Sequence, residues 1–367
     1  MLLFKGPRDQ ILTPLQSVCG IVEKRHTLPI LSNVLMEKNG ENLTLLATDI
    51  EIQIRTSTSA ASAEKAALTV GARKLQDILR SLPDSAEVSL SLDDKRLQVK
   101  AGKSRFNLQT LPAEDFPRMS TAEGQAVHIR LTQKQFKRLL AFVQYSMAQQ
   151  DIRYYLNGLL LVIDGAEMRV IATDGHRLAF ASEALPESMP RSEVILPRKT
   201  ILELSRQLAD NDEPLEIVLA PTQAQFRFGN IELVSKLIDG KFPDYERVIP
   251  QQHGKVLQLP RDLLLHSLMR AAILTNEKFR GVRLVLSNDS LKILSTNAEQ
   301  EEAQEEIEVP YQGESLDVGF NVTYLLDVLN NVDVETIECR LADASSSALF
   351  KLPGNDRFKY VVMPMRI

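Results

Sequence analysis

The chain has 367 residues, 44% of them hydrophobic and 25% charged, with a formal net charge of −5. That length and balance describe two or three globular domains with sizeable cores. The charge excludes a protein that grips nucleic acid by overall basicity. No apolar run approaches the roughly 20 residues of a membrane-crossing helix, and the opening MLLFKGPRDQ turns charged too soon for a secretory signal. A cytoplasmic protein with no membrane partner is expected.

In chain order, RDQILTPLQSVCGIV from Arg8 has helical apolar spacing, with Cys19 in its apolar run. That placement reads as a buried thiol rather than a nucleophile. Residues 43–54, LTLLATDIEIQI, alternate apolar and polar side chains on both sides of a Thr-Asp pair and read as two strands. RKLQDILRSL from Arg73 sets Leu75, Ile78, Leu79 and Leu82 on one helical face. Residues 86–111 alternate as strands, and DFPRM at 115–119 reads as a Pro-containing strand end.

The series then returns. TQKQFKRLLAFVQYSM from Thr132 is a helix with Thr132 as its expected N-cap, and MRVIATDGHRLAF at 168–180 is a strand pair around Thr-Asp. RKTILELSRQL from Arg198 is the second helix, strands follow over 214–237, and KFPDYERVIP at 241–250 closes on another strand end. A third round runs from PRDLLLHSLMRAAIL at Pro260, where Asp262 is the expected N-cap. It continues through LKILSTNAEQEEAQ at 291–304, NVTYLLDVLNNV from Asn321, strands over 335–352 and the terminal YVVMPMRI.

Thr48, Thr173 and Thr296 mark one point in each round, and successive marks lie 125 and 123 residues apart. Arg73, Arg198 and Asn321 repeat those two spacings. The chain is therefore three copies of one α+β module, two helices against antiparallel sheet. Polar stretches near 122–127 and 250–256 place the domains at 1–125, 126–252 and 253–367. Head-to-tail contacts between like modules either close into a ring or run on as a filament, and a ring also covers exposed sheet edges.

Charge is unevenly sorted. The helix from Thr132 carries Lys134, Lys137 and Arg138 with no acid, whereas NAEQEEAQEEIE at 297–308 holds six glutamates. Locally basic helices either meet a phosphate backbone without sequence preference or simply solvate their outer faces. Tyr154 and Tyr155 either touch a nucleotide or pack on the next strand.

TDGHR at 173–177 is the most enzyme-like segment, and a hydrolase built on Asp174, His176 and Arg177 is the alternative it raises. The corresponding segments are TDIEI and TNAEQ, so the His is no part of the common element. No nucleophile accompanies it, and a turn or pocket wall is the better reading. There is no GxGxxG, GxxxxGK[ST] or GxSxG segment, and the cysteines and histidines lack metal-ligand spacing. No enzyme activity, cofactor or metal is expected. The terminal VVMPMRI is either tucked into the core or part of an adaptable protein-binding pocket.

LPIL at 28–31, RYYLNGLLL at 153–161, ATDGHRLA at 172–179, SKLIDGKFPDYERVIP at 235–250, NEKFRGVRL at 276–284, GFNVTYLLDVL at 319–329 and the terminal VVMPMR closely resemble the bacterial DNA polymerase III beta subunit family, the sliding clamps. The resemblance runs the length of the chain. It implies a head-to-tail homodimer, six domains in a ring around double-stranded DNA, with helices lining the hole and sheets outside.

Such a ring confers processivity on the replicative polymerase and is not an enzyme. Partners implied are the DNA polymerase III catalytic subunit, the clamp loader, other polymerases, and mismatch-repair and ligase proteins, through QL(S/D)LF-type peptides. The peptide pocket maps onto Leu156, Thr173, Gly175, His176, Arg177, Leu178, Pro243, Arg247, Val248, Asn321, Tyr324, Ser347, Val361, Val362, Met363, Pro364, Met365 and Arg366. Leu178, Val248, Val361 and Met363 would hold apolar anchors, with Arg177 and Arg247 on the rim. DNA contacts map onto Arg25, Arg73, Gln150, Tyr154, Tyr155 and Lys199. The dimer joint sets Lys74, Arg96, Lys103, Arg105 and Phe106 against Ile273, Leu274, Glu299, Glu301 and Glu302. The segment LPGNDRFK at 352–359 has no assigned role.

Overall fold

The computed structural model describes residues 1–23, 28–60, 64–120, 126–251 and 254–367. One order of elements recurs three times. In the first round β1 (Leu2–Pro7) runs directly into α1 (Arg8–Cys19). Strands β2 (Asn33–Asn39), β3 (Asn42–Thr48), β4 (Ile52–Ser59) and β5 (Ala66–Gly71) follow. Helix α2 (Ala72–Ser81) then leads into β6 (Glu87–Asp93), β7 (Arg96–Ala101) and β8 (Ser104–Leu111).

The second round is β9 (Val127–Thr132), α3 (Gln133–Val143), two long strands β10 (Gly158–Thr173) and β11 (Arg177–Pro197), and α4 (Arg198–Gln207). It ends in β12 (Pro214–Leu219), β13 (Gln223–Phe228) and β14 (Ile231–Lys236). The third opens with β15 (Lys255–Pro260), α5 (Arg261–Ala271), β16 (Gly281–Ser287), β17 (Ser290–Thr296), β18 (Glu302–Glu308) and β19 (Leu316–Asn321). It closes with α6 (Val322–Asn330), β20 (Thr336–Leu341), β21 (Ala348–Leu352) and β22 (Asn355–Val362). The fold is α+β in each round. In the second, β10 and β11 each span what are two strands elsewhere, and β10 shifts register on either side of Gly165.

The chain divides into two compact units, one of Met1–Lys134 with Leu202–Leu237, the other of Gln135–Ile201 with Ile238–Ile367. The first unit holds one twelve-stranded sheet ordered β1-β6-β7-β8-β5-β2-β3-β4-β14-β13-β12-β9. Here β4 meets β14 antiparallel, from Arg55 opposite Glu232 to Ile52 opposite Ser235, so first-round and second-round strands share a sheet. The second unit holds a six-stranded sheet ordered β10-β11-β22-β21-β20-β15 and a four-stranded sheet ordered β18-β17-β16-β19. There β11 meets the terminal strand β22, from Arg177 opposite Val362 to Ala181 opposite Phe358. That pairing brings TDGHR beside the chain's end.

Helices form where apolar side chains recur every three or four residues, and they bury that face. On α1 the face is Ile11, Leu12, Leu15, Val18 and Cys19; on α2 it is Ala72, Leu75 and Leu79. Each Leu or Ile so buried is worth roughly 1.5–3 kcal/mol. Arg8 is buried with them, its guanidinium donating to the Leu82 carbonyl (2.7 Å) and pairing with Asp84 (2.7 Å). This fastens the start of α1 to the end of α2.

Several sequence expectations are corrected. A lead strand (β1, β9, β15) precedes the first helix of every round. Asp262 does not cap α5: Pro260 holds that place, and Asp262 lies in the first turn against Arg261, where a carboxylate still favours the helix dipole. The real cap in the third round is Asn321 of α6, whose side chain accepts from the Thr323 amide at 2.9 Å. Neither 115–119 nor 241–250 is a strand. Short 3-10 turns, Ala113–Asp115 and Tyr245–Arg247, adjoin or occupy them, with Phe116 and Phe242 buried as anchors. LPGNDRFK forms the β21–β22 hairpin, turning at Gly354 (φ +68°).

Candidate functional site

The Thr-Asp element that marks the repeat is a hydrogen-bonded turn. Thr48 Oγ1 donates to the Ile52 carbonyl (2.9 Å) and accepts from the Ile50 amide (3.0 Å), while Asp49 Oδ1 accepts from Glu51 and Ile52. Thr173 and Asp174 reproduce every one of these bonds with Arg177, Gly175, His176 and Arg177. Asn297 accepts from Glu299 and Glu301 in the same manner. Short polar side chains bonding to backbone ahead of them stabilise such turns. The second Asp174 oxygen takes Arg177 Nε at 3.1 Å. Both Asp174 oxygens thus accept hydrogen bonds within the turn.

Arg177 is not on the rim. Its side chain is 10% exposed, and it bonds Asp327 of α6 (2.5 Å) and the Tyr145 carbonyl (2.6 Å) as well as Asp174. Its guanidinium lies 4.4 Å over the Tyr324 ring. Tyr360 of β22 completes the set by donating to the Tyr324 carbonyl (2.9 Å). The fully buried Tyr145 hydroxyl has its pKa driven well above the ordinary value, first by burial. The network binds turn, helix and terminal strand into one rigid wall.

Against that wall lies a cavity of about 400 Å³, entirely within the second unit. The turn supplies Thr173, Gly175, His176 and Arg177, and the paired strands supply Leu178 and Val361. The 242–248 loop supplies Phe242, Pro243, Tyr245 and Val248, and Met363 closes the edge; Arg153, Leu156 and Ser347 complete the lining. Its floor belongs to a buried cluster that includes Leu156, Leu178, Phe242 and Val361. Val248 and Met363 remain exposed at 44% and 48%, an apolar mouth on an apolar floor. The Met363 amide donates to the His176 carbonyl (2.9 Å), which holds that edge to the turn.

Seven residues mapped onto the pocket lie outside this lining. Arg247 is exposed and paired with Asp244 (2.9 Å); Asn321 caps α6; Tyr324 lies under Arg177; Val362 is buried in β22. Met365 bridges to the Gly319 backbone, Pro364 is half-buried beside it and Arg366 is exposed. Arg153, Phe242 and Tyr245 line the cavity without having been foreseen. Phe242 and Tyr245 flank Pro243 in FPDY, which was the available signal.

Arg25 lies outside the described residues. Arg73 is exposed on α2 and donates to the Val22 carbonyl (2.6 Å); Lys199 is half-buried on α4. In the second unit Gln150 is exposed with φ +56°, Tyr154 is exposed, and Tyr155 packs partly against the cluster. Asp151 orders that loop by accepting from the Arg153 amide (2.8 Å) and guanidinium (2.9 Å), which holds its pKa down at about 2. Lys74, Arg96, Lys103 and Arg105 are exposed and Phe106 half-buried in the first unit. Ile273, Glu299, Glu301 and Glu302 are exposed and Leu274 half-buried in the second. Cys19 and Cys339 are buried free thiols. Among the described residues no group of acidic, His and Cys side chains could hold a metal, and no helix is long and apolar enough to cross a membrane.

Three family profiles match the chain in order. Residues 2–120 match the DNA polymerase III beta subunit N-terminal domain, 130–244 its central domain and 246–366 its C-terminal domain. A beta sliding clamp of Pseudomonas putida is 48% identical over 366 residues, covering 99% of this chain and all of that one. The Escherichia coli beta sliding clamp is 45% identical over 365 residues, with the same coverage. Among solved structures, the DNA polymerase III subunit beta of Pseudomonas aeruginosa superposes with a TM-score of 0.95 at 47% identity over both full chains. A sliding clamp from that organism bound to griselimycin gives 0.96, also at 47% identity and full coverage. The chain belongs to the DNA polymerase III beta subunit family, the beta sliding clamps.

Proposed function

We propose that two copies of this chain join head to tail as a six-domain ring around double-stranded DNA and tether the replicative polymerase to its template. The observation that carries this is three clamp modules in sequence, matched from end to end of the chain. A tether acts by effective concentration: a polymerase that lets go stays near the primer end. Domain limits at 1–125, 126–252 and 253–367 follow the repeat. Contact with the duplex is electrostatic and indifferent to sequence, through Arg25, Arg73, Gln150, Tyr154, Tyr155 and Lys199. The ring works in the cytoplasm, without cofactor or catalytic turnover.

Two open strand edges support the joint. β8 bonds β5 only at Thr110 and Leu111, and β18 ends its sheet. Unpaired edges invite strand pairing. The first edge carries Arg105 just after Lys103, with Arg96 on the adjoining strand β7; the second begins at Glu302 just after Glu299 and Glu301. Opposite charges give such a joint direction and register.

The second-unit cavity receives QL(S/D)LF-type peptides, with apolar anchors against Leu178, Val248, Val361 and Met363. Its users are the DNA polymerase III catalytic subunit, the clamp loader, other polymerases, and mismatch-repair and ligase proteins. The test is retention on nicked circular DNA after loading by a bacterial clamp loader, before and after one cut linearises the circle. Loss on cutting is expected, because topology holds the ring. Equal retention on both forms would replace the ring with ordinary surface binding.

A further inference from the structure

A second cavity of about 310 Å³ adjoins the first across Tyr245, which lines both. The same strands floor the two. On β11 and β22 the first cavity takes Leu178 and Val361, which face each other across the ladder. The second takes Phe180 and Lys359, the pair two residues further along. Residues two apart on a strand share a face and stand about 7 Å apart. An extended peptide leaving the first cavity along this face reaches the second within two or three residues.

The charges around the second cavity are not equally satisfied. Glu167 is paired with Arg169 at 2.7 Å, and Glu246 lies 3.6 Å from the same guanidinium. Asp356 is held by Lys351. Lys359 has no carboxylate within ion-pair distance among the described residues; its ammonium lies 5.3 Å over the Phe180 ring. The lining thus offers one cation outside any direct ion pair, half-buried on an aromatic floor; the carboxylate that feels its charge, Asp356, is itself bonded to Lys351. Such a group favours a carboxylate, and partial burial makes the pairing worth more than on open surface.

We propose that this second cavity reads the residues flanking the peptide's apolar anchor, and that Lys359 selects an acidic side chain there. The proposal rests on the first cavity being the peptide pocket. It makes affinity depend on a flank as well as on the five-residue core, and so ranks partners that share one core.

The test uses the full-length protein and fluorescein-labelled peptides with a QLDLF core. A Glu or a Gln is walked through the four positions on either side, and affinity is read by anisotropy. At one position Glu should bind about threefold more tightly than Gln, the scale of a partly exposed ion pair. Lys359→Met should abolish that difference while leaving the affinity of the bare core unchanged, which also shows that the variant is folded. No position with a Glu preference, or a preference that survives in Lys359→Met, would overturn the proposal and leave the first cavity standing. Failure of the bare core to bind the wild-type protein would overturn the pocket reading, and this proposal with it.

Discussion

Ile50 sits at φ +72° in the turn where the second round places Gly175 at φ +89°. A β-branched residue in the left-handed region carries roughly 1–2 kcal/mol of steric cost. Glycine removes it but adds about 0.5–1 kcal/mol of unfolded-chain entropy. Ile50→Gly should therefore raise the urea midpoint, by on the order of 0.5–1 kcal/mol in stability. A lowered midpoint would show that the exposed Ile50 side chain contributes more than its backbone costs. The thiols make a second residue-scale case. Burial pushes Cys19 and Cys339 up to about 12. A folded pKa above the unfolded value of about 8.5 contributes stability that is complete below that value and lost as pH rises toward 12. At pH 8 a thiol reagent should find neither cysteine in the native protein and two in urea. Prompt native reaction would show that one of them is reachable.

The terminal segment shows how an element beyond the sheet sets the pocket. After β22 the chain returns to the third-round sheet, where Met365 bridges to Gly319. A Cβ on Gly319 would stand 2.5 Å from the Met365 carbonyl oxygen and 2.7 Å from Ile367. At that separation the Met365 backbone must shift, so Gly319→Ala should lift the tail and weaken core-peptide binding about tenfold or more, as loss of an anchor contact at Met363 implies. Deleting 363–367 should abolish peptide binding while the fold persists, because β22 retains its pairings with β11 and β21. Unchanged affinity in Gly319→Ala would separate tail from pocket.

Elements of this kind were unequally legible. Helices were readable because their apolar faces repeat, and the three turns because Thr-Asp and Thr-Asn recur at fixed spacing. The lead strands were not: β1 and β15 end on Pro7 and Pro260 and pass into helix with no intervening turn residue. In the cavity, Leu178 and Val361 were legible through TDGHR and the terminal motif. Arg177 was misplaced on the rim because its partners Tyr145 and Asp327 are distant in sequence, and Arg153 enters only through the loop that Asp151 ties.

At the scale of the whole molecule, net charge conceals the arrangement that the proposed ring requires. A charge of −5 sums a basic edge in one unit and an acidic edge in the other. If those edges meet between chains, the joint gains orientation from attraction across it and from repulsion of like edges. Glu299 and Glu302 allow a clean test, because Glu301 is additionally bonded through its carboxylate to Asn297 (2.6 Å). Changing both, Glu299→Lys with Glu302→Lys, faces lysines with Lys103 and Arg105. Sedimentation velocity at micromolar concentration should show the dimer giving way to monomer, most strongly at low salt where screening is weakest. The core peptide should bind as before, because none of its proposed anchors lies on the acidic edge. A double variant that stays dimeric at every concentration and salt would place the joint elsewhere, and one that lost peptide binding together with the dimer would mean the cavity is shaped by the neighbouring chain.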